Sequence, residues 1–164
     1  MKRHLTILIA LAVAATSCCM RSSKPEWQYQ KNAIVLHMSG DPLLNLYQQK
    51  SHSLILCVYH LKDLNGFNQL ADQKGGLSAL LECSRFDPSV TYSKRLVLQP
   101  KQKLEESMDR TEGAKYVGII AGYYDLRKES SSRSFPIPLS LMNNPKKLRI
   151  NLKLGPNEMQ EAKD

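Results

Sequence analysis

Apolar residues along the 164-residue chain fall into three patterns, each predicting a different element. The first is a run at the start. Residues 5–15, LTILIALAVAA, are apolar all round and lack the polar stripe of an amphipathic core helix. Eleven residues are too few to span a bilayer, which takes about twenty. The second pattern is short β-branched segments. Residues 33–39 (AIVLHMS) form one, and the continuous run 53–61 (SLILCVYHL) predicts a central strand buried on both faces. Residues 92–100 (YSKRLVLQP) return to strand and stop at Pro100. Residues 114–126 (AKYVGIIAGYYDL) are the most strand-like, with Gly118 and Gly122 marking close packing or a bulge. FPIPLSL (135–141) and KKLRINLKL (146–154) supply late strands, the latter alternating at Leu148, Ile150, Leu152 and Leu154.

The third pattern is helical. Between residues 63 and 83, Leu64, Phe67, Leu70 and Ala71 sit at helical spacing, and Gly75-Gly76 separates them from a second short turn at 77–81. KLEESMD (103–109) fits a helix through Leu104 and Met108, or an edge strand. Gly155-Pro156 closes the last strand, and 156–164 reads as a frayed polar tail. Roughly seven short strands with one helical insertion over about 63–83 predict a mainly β, two-sheet sandwich spanning 29–155.

One connection stands apart. GDPLLNLYQQKSH (40–52) opens on a Gly-Asp-Pro turn signal, yet carries Leu43, Leu44, Leu46 and Tyr47. That is more apolar area than an idle loop normally exposes to water.

The leader sets the compartment. Lys2, Arg3 and His4 precede the apolar run, and the small residues Ala15-Thr16-Ser17 follow it, the plan of a secretory signal peptide over 1–17. The small residues run straight into Cys18 and Cys19, which resembles the bacterial lipoprotein signal. Cys18 has small residues at all three preceding positions and is the candidate for lipidation. The segment 18–28 then reads as a polar, lipidated tether. Cys19, as the next residue rather than Asp, by the same resemblance favours the outer membrane. Two further cysteines, Cys57 and Cys83, invite a disulfide in an oxidising periplasm; two separately buried thiols are the alternative.

The formal net charge of +8 becomes +6 once Lys2 and Arg3 leave with the leader, 21 basic against 15 acidic residues. The basic residues are scattered and not interleaved with aromatics, so nucleic acid is not implied. No catalytic motif is present: no G-x-S-x-G, H-E-x-x-H, G-x-G-x-x-G or phosphate-binding loop. Cys57 and His60, three apart on a strand, point to opposite faces and make neither a metal pair nor a nucleophile with its base. The expectation is a non-enzyme without cofactor or metal.

The order of segments carries a resemblance. A lipoprotein-type leader is followed by a Trp-containing tether, then NAIVLHMSGDPLLNLY, HSLILCVYHLKDLNGF, LLEC, RLVLQP and DRTEGAKYVGIIAGYYDL. The most specific pieces are VYHL at 58–61, where His60 stands in place of a commoner Gln, and YVGIIAGYYDL at 116–126. The chain resembles the outer-membrane lipoproteins of type VI secretion systems, the TssJ (SciN/VasD) family, over about residues 15–155. The resemblance implies a transthyretin-like β-sandwich with a helical insertion. It also implies a structural role: anchoring the membrane complex by binding the periplasmic C-terminal domain of a TssM-like inner-membrane subunit. The contact falls on the loop between the first two strands, here Asp41, Pro42, Leu43, Leu44, Asn45, Leu46 and Tyr47. A periplasmic lipoprotein binding a small ligand or peptide in a sandwich groove is the other reading.

Overall fold

The computed structural model describes residues 25–162. The leader, Cys18 and Cys19 lie outside the described residues. The strands are β1 (Gln30–Gly40), β2 (Leu54–Leu61), β3 (Val90–Leu98), β4 (Lys103–Arg110), β5 (Tyr116–Ala121), β6 (Ser132–Pro136), β7 (Leu148–Leu154) and β8 (Met159–Glu161). Three short helices join them: α1 (Asn65–Asp72), α2 (Gly76–Leu80) and α3 (Lys128–Ser131). The strands form two four-stranded sheets, β4-β1-β7-β8 and β3-β2-β5-β6, a mainly β two-sheet architecture as the sequence predicts.

The alternation read from the sequence decides which residues meet between the sheets. Ile34, Leu36 and Met38 of β1 and Leu148, Ile150, Leu152 and Leu154 of β7 face Leu54, Leu56 and Val58 of β2 and Val117, Ile119 and Ala121 of β5. β1 lies antiparallel to β4 and parallel to β7. The ambiguous 103–109 segment is therefore strand, because β1 has a free edge there for it to pair with. One open side of the sandwich is closed by Lys94 of β3, whose Nζ donates to Glu106 Oε1 of β4 at 2.7 Å. On the other side Arg133 of β6 reaches the Met159 carbonyl of β8 at 2.8 Å.

A second core lies on the outer face of the β3-β2-β5-β6 sheet. Cys57, Tyr59 and Leu61 of β2 and Ile120 of β5 are covered by Phe67, Ala71 and Leu80 of the helical insertion. Tyr59 is fully buried and its hydroxyl donates to the Leu80 carbonyl at 2.5 Å; burial pushes its pKa up to about 12. Gly118 accounts for the first glycine of the 114–126 run: a Cβ there would sit 2.9 Å from the Phe67 ring. Cys57 on the sheet faces Cys83 at the end of the insertion with Cα atoms 5.3 Å apart, inside the range a disulfide bridges.

Two boundaries differ from the sequence reading. The 156–164 stretch is not a frayed polar tail throughout, because 159–161 pair with β7 as β8 and Met159 is fully buried. A single apolar residue among polar ones gave too weak a periodic signal to mark a three-residue strand. The tether also ends early. Trp27 packs against the inter-sheet core with the Arg110 guanidinium 6.0 Å from its ring centroid, and its carbonyl accepts from Gly113 N at 2.7 Å.

Candidate interaction surface

The β1–β2 connection, 41–52, is not a free loop. Where β1 ends, Gly40 passes so close to the chain leaving β3 that a Cβ would lie 2.7 Å from the Gln99 carbonyl oxygen. Asp41 then forms an Asx turn, its Oδ1 accepting from Leu43 N at 2.7 Å and its carbonyl from Leu44 N at 3.0 Å. Leu46 N donates to Pro156 O at 2.8 Å, and His52 N to Leu44 O at 2.9 Å. At the tip Tyr47 and Lys50 exchange backbone hydrogen bonds of 2.9 and 3.0 Å across Gln48 and Gln49, both at positive φ. That is the geometry of a tight two-residue hairpin turn.

The loop has two faces. Leu44 is fully buried in the inter-sheet core. This corrects the expectation that all four apolar side chains face outward. Asn45 also turns in: its Nδ2 donates to Ser53 O and its Oδ1 accepts from Tyr124 N, both at 3.0 Å. Its side chain therefore ties this loop to the segment after β5. Outward stand Leu43, 51% exposed, and Tyr47, 45% exposed, with Leu46 half-buried and Asp41 and Pro42 exposed at the shoulder.

Sequence reasoning missed Tyr124. Its ring stacks on Tyr47 with centroids 4.2 Å apart and planes 14° from parallel, and His52 meets its edge at 5.1 Å. The signal was present in Gly122-Tyr123-Tyr124: alternation beyond β5 sends one ring in and the next out. Tyr123 is buried, which raises its hydroxyl pKa, whereas Tyr124 is half exposed. Leu43 and the stacked pair Tyr47–Tyr124 are thus exposed apolar side chains on a backbone with few remaining freedoms. Among the described residues, no group of three His, Cys, Asp or Glu side chains gathers in a way that could hold a metal ion. Cys57 and His60 lie on opposite faces of β2. His60 is buried beside Tyr92, and burial lowers its pKa to about 4. No described helix is long and apolar enough to cross a membrane.

The family model of type VI secretion lipoproteins (VasD, EvfM, TssJ) matches residues 32–157, which take in the loop and the strands from β1 to β7 apart from the first two residues of β1. The chain belongs to this family. No curated protein matches it in sequence. Among solved structures, it is similar to the T6SS lipoprotein TssJ1 from Pseudomonas aeruginosa, at 17% identity and a TM-score of 0.62, over 82% of this chain and 95% of that one. Lip from Serratia marcescens, a membrane-bound component of the type VI secretion system, is 19% identical with a TM-score of 0.62, over 80% and 97%. A chain in a structure of the T6SS protein TssM C-terminal domain from EAEC matches at 16% identity and a TM-score of 0.62, over 80% and 98%. At these identities the structural likenesses establish the fold.

Proposed function

We propose that this type VI secretion lipoprotein is a non-catalytic anchor that holds a TssM-like inner-membrane subunit to the outer membrane from its periplasmic face. Loop 40–52 binds that subunit's periplasmic C-terminal domain. One observation carries the reading: Leu43 and Tyr47 are exposed on a loop that hydrogen bonds and the Tyr124 stack already hold in shape. Exposed aromatic and aliphatic anchors on an ordered backbone are what a protein pocket binds tightly, since little freedom is lost on docking. The exposed Asp41 and Lys50 provide a charged rim that orients the encounter. A sandwich-groove ligand is the weaker reading, because the space between the sheets is filled by the core side chains.

In this reading Cys18 carries the lipid. Several acyl chains, at about 0.8 kcal/mol per buried CH₂, make the attachment stable where one chain would be marginal. Cys18→Ser should abolish fractionation with the outer membrane; continued labelling by a palmitate analogue would show Cys19 taking its place. Cys57 and Cys83 are taken as a disulfide. On the chain-entropy account, closing a loop of this length adds about 3–4 kcal/mol. Mass spectrometry of non-reduced peptides reads the bridge directly, and free thiols would exclude it.

The deciding experiment is calorimetry against the C-terminal periplasmic domain of the TssM-like subunit. Leu43→Asp with Tyr47→Asp is expected to abolish binding while the circular dichroism spectrum and melting temperature are retained. Unchanged affinity would overturn the assignment of this loop.

A further inference from the structure

The far end of the sandwich carries a second exposed apolar loop, the 137–147 connection between β6 and β7. Its legs are held side by side: Ile137 N donates to Lys115 O at 2.8 Å, Lys146 N donates to Pro138 O at 2.7 Å, and Leu139 bridges Pro145. Ser140 N donates to Asn144 O at 2.8 Å and closes the tip. Leu141 and Met142 project from that tip, 106% and 79% exposed, more than any other large apolar side chains among the described residues. Exposed Lys146, Lys147 and Arg149 follow in sequence, and Lys115 and Lys62 lie at the same end, against Glu26, Asp63 and Glu112. This is also the end where the chain enters, since Trp27 is fixed there by Gly113 and Arg110. From Cys18 to Pro25 is seven residues, which reach at most about 25 Å when fully extended.

We propose that the 137–147 loop is a membrane-contacting wedge. Leu141 and Met142 enter the interfacial region of the phospholipid leaflet, while Lys146 and Lys147 meet anionic headgroups. The inference rests on the anchored-lipoprotein reading, in which the Cys18 lipid confines this end to within reach of the bilayer. A lipid surface fits this tip better than a protein partner does. Two adjacent flexible apolar side chains at the summit of a turn present no shaped surface, and cations beside them suit phosphate-bearing lipid. Together, the lipid and the wedge make two points of contact and set the orientation of the sandwich, with loop 40–52 pointing away from the membrane.

The test uses the full lipidated chain reconstituted in phosphatidylethanolamine–phosphatidylglycerol vesicles whose acyl chains are brominated. A tryptophan is placed in turn by Leu141→Trp, Met142→Trp and Leu43→Trp, with Trp27 of the parent chain as background. Expected is a blue shift and loss of most of the added emission at positions 141 and 142, with none at 43. Lys146→Glu with Lys147→Glu should weaken the quenching. Unquenched emission at both 141 and 142, or quenching confined to 43, overturns the inference. A mass measurement on the Cys18 peptide reports the anchor separately. If Cys18 is lipidated and 141 is not quenched, the wedge fails and the anchored reading stands. If Cys18 is unmodified, the anchored reading fails; the chain is then added to the same vesicles, and quenching at 141 keeps the wedge while its absence ends it. Protection of 141 by another protein, without quenching, counts against it.

Discussion

Loops 40–52 and 137–147 are of similar length and both expose apolar side chains, but at opposite ends of the sandwich and in opposite styles. The first is pinned to its surroundings by the Asp41 turn, the inward Leu44, the Asn45 amide and the Tyr47–Tyr124 stack. The second is tied at its legs and closed across its tip by Ser140 with Asn143 and Asn144, but Leu141 and Met142 stand out into solvent. Exposed area alone does not distinguish them. The difference lies in whether the apolar groups have a fixed shape, which a protein pocket rewards and a fluid lipid surface does not require.

The sharpest way to break this contrast is by binding. Leu43→Asp with Tyr47→Asp should remove measurable affinity for the TssM-type domain, whereas Leu141→Asp with Met142→Asp should leave it unchanged in the same titration. Stability comes next. Leu44→Ala should cost about 2–5 kcal/mol in urea unfolding, as expected for a fully buried leucine. Leu141→Ala should stay within roughly 0.5 kcal/mol, as expected for an exposed site. A test replacing Leu44 together with its exposed neighbours would therefore confuse unfolding with lost binding.

Acid separates the ends more gently. His60 lies at the end where the chain enters, and its pKa in the fold, about 4, is below its ordinary value of 6.5. The unfolded chain thus binds the extra proton first. Stability is full above about 6.5 and falls as pH drops toward about 4. His60→Gln should flatten that part of the pH–stability curve by an amount on the order of 1 kcal/mol near pH 5.5 and leave loop 40–52 binding as before. Smallest is the ring stack: a double-mutant cycle of Tyr47→Ala and Tyr124→Ala should return a coupling of about 0.5–1.5 kcal/mol in urea unfolding.

Much of the fold was legible because two periods dominate the text. The alternation of Leu148 to Leu154 and the spacing of Phe67 and Ala71 each specify an element and the face it buries. The 103–109 segment was not decidable locally, since the edge of β1 that captures it is distant in sequence. Met159 was missed for a different reason: its partner strand β7 is only a few residues upstream, but one apolar residue among polar ones carries no period. In the interaction loop, the excess of apolar residues was readable, but their direction was not. Neither the inward turn of Leu44 and Asn45 nor the partnership with Tyr124 has a period; both are set by contacts between loops almost eighty residues apart.

The course of β1 has a mechanical consequence. It starts near Trp27, at the end where the chain enters, and, after an irregularity between Gln30 and Ile34, runs on to Gly40, eleven residues or about 35 Å in all, into the loop proposed to grip the partner. Under the proposed function, tension between an anchor in one membrane and a machine in the other would pull along this one strand. β4 and β7 flank it through ladders whose bonds run across the pulling direction. With both attachment points at the ends of one strand, the covalent backbone carries the load and the ladders keep the strand in register. In the proposed arrangement the topology puts a strand paired on both sides on the line of force.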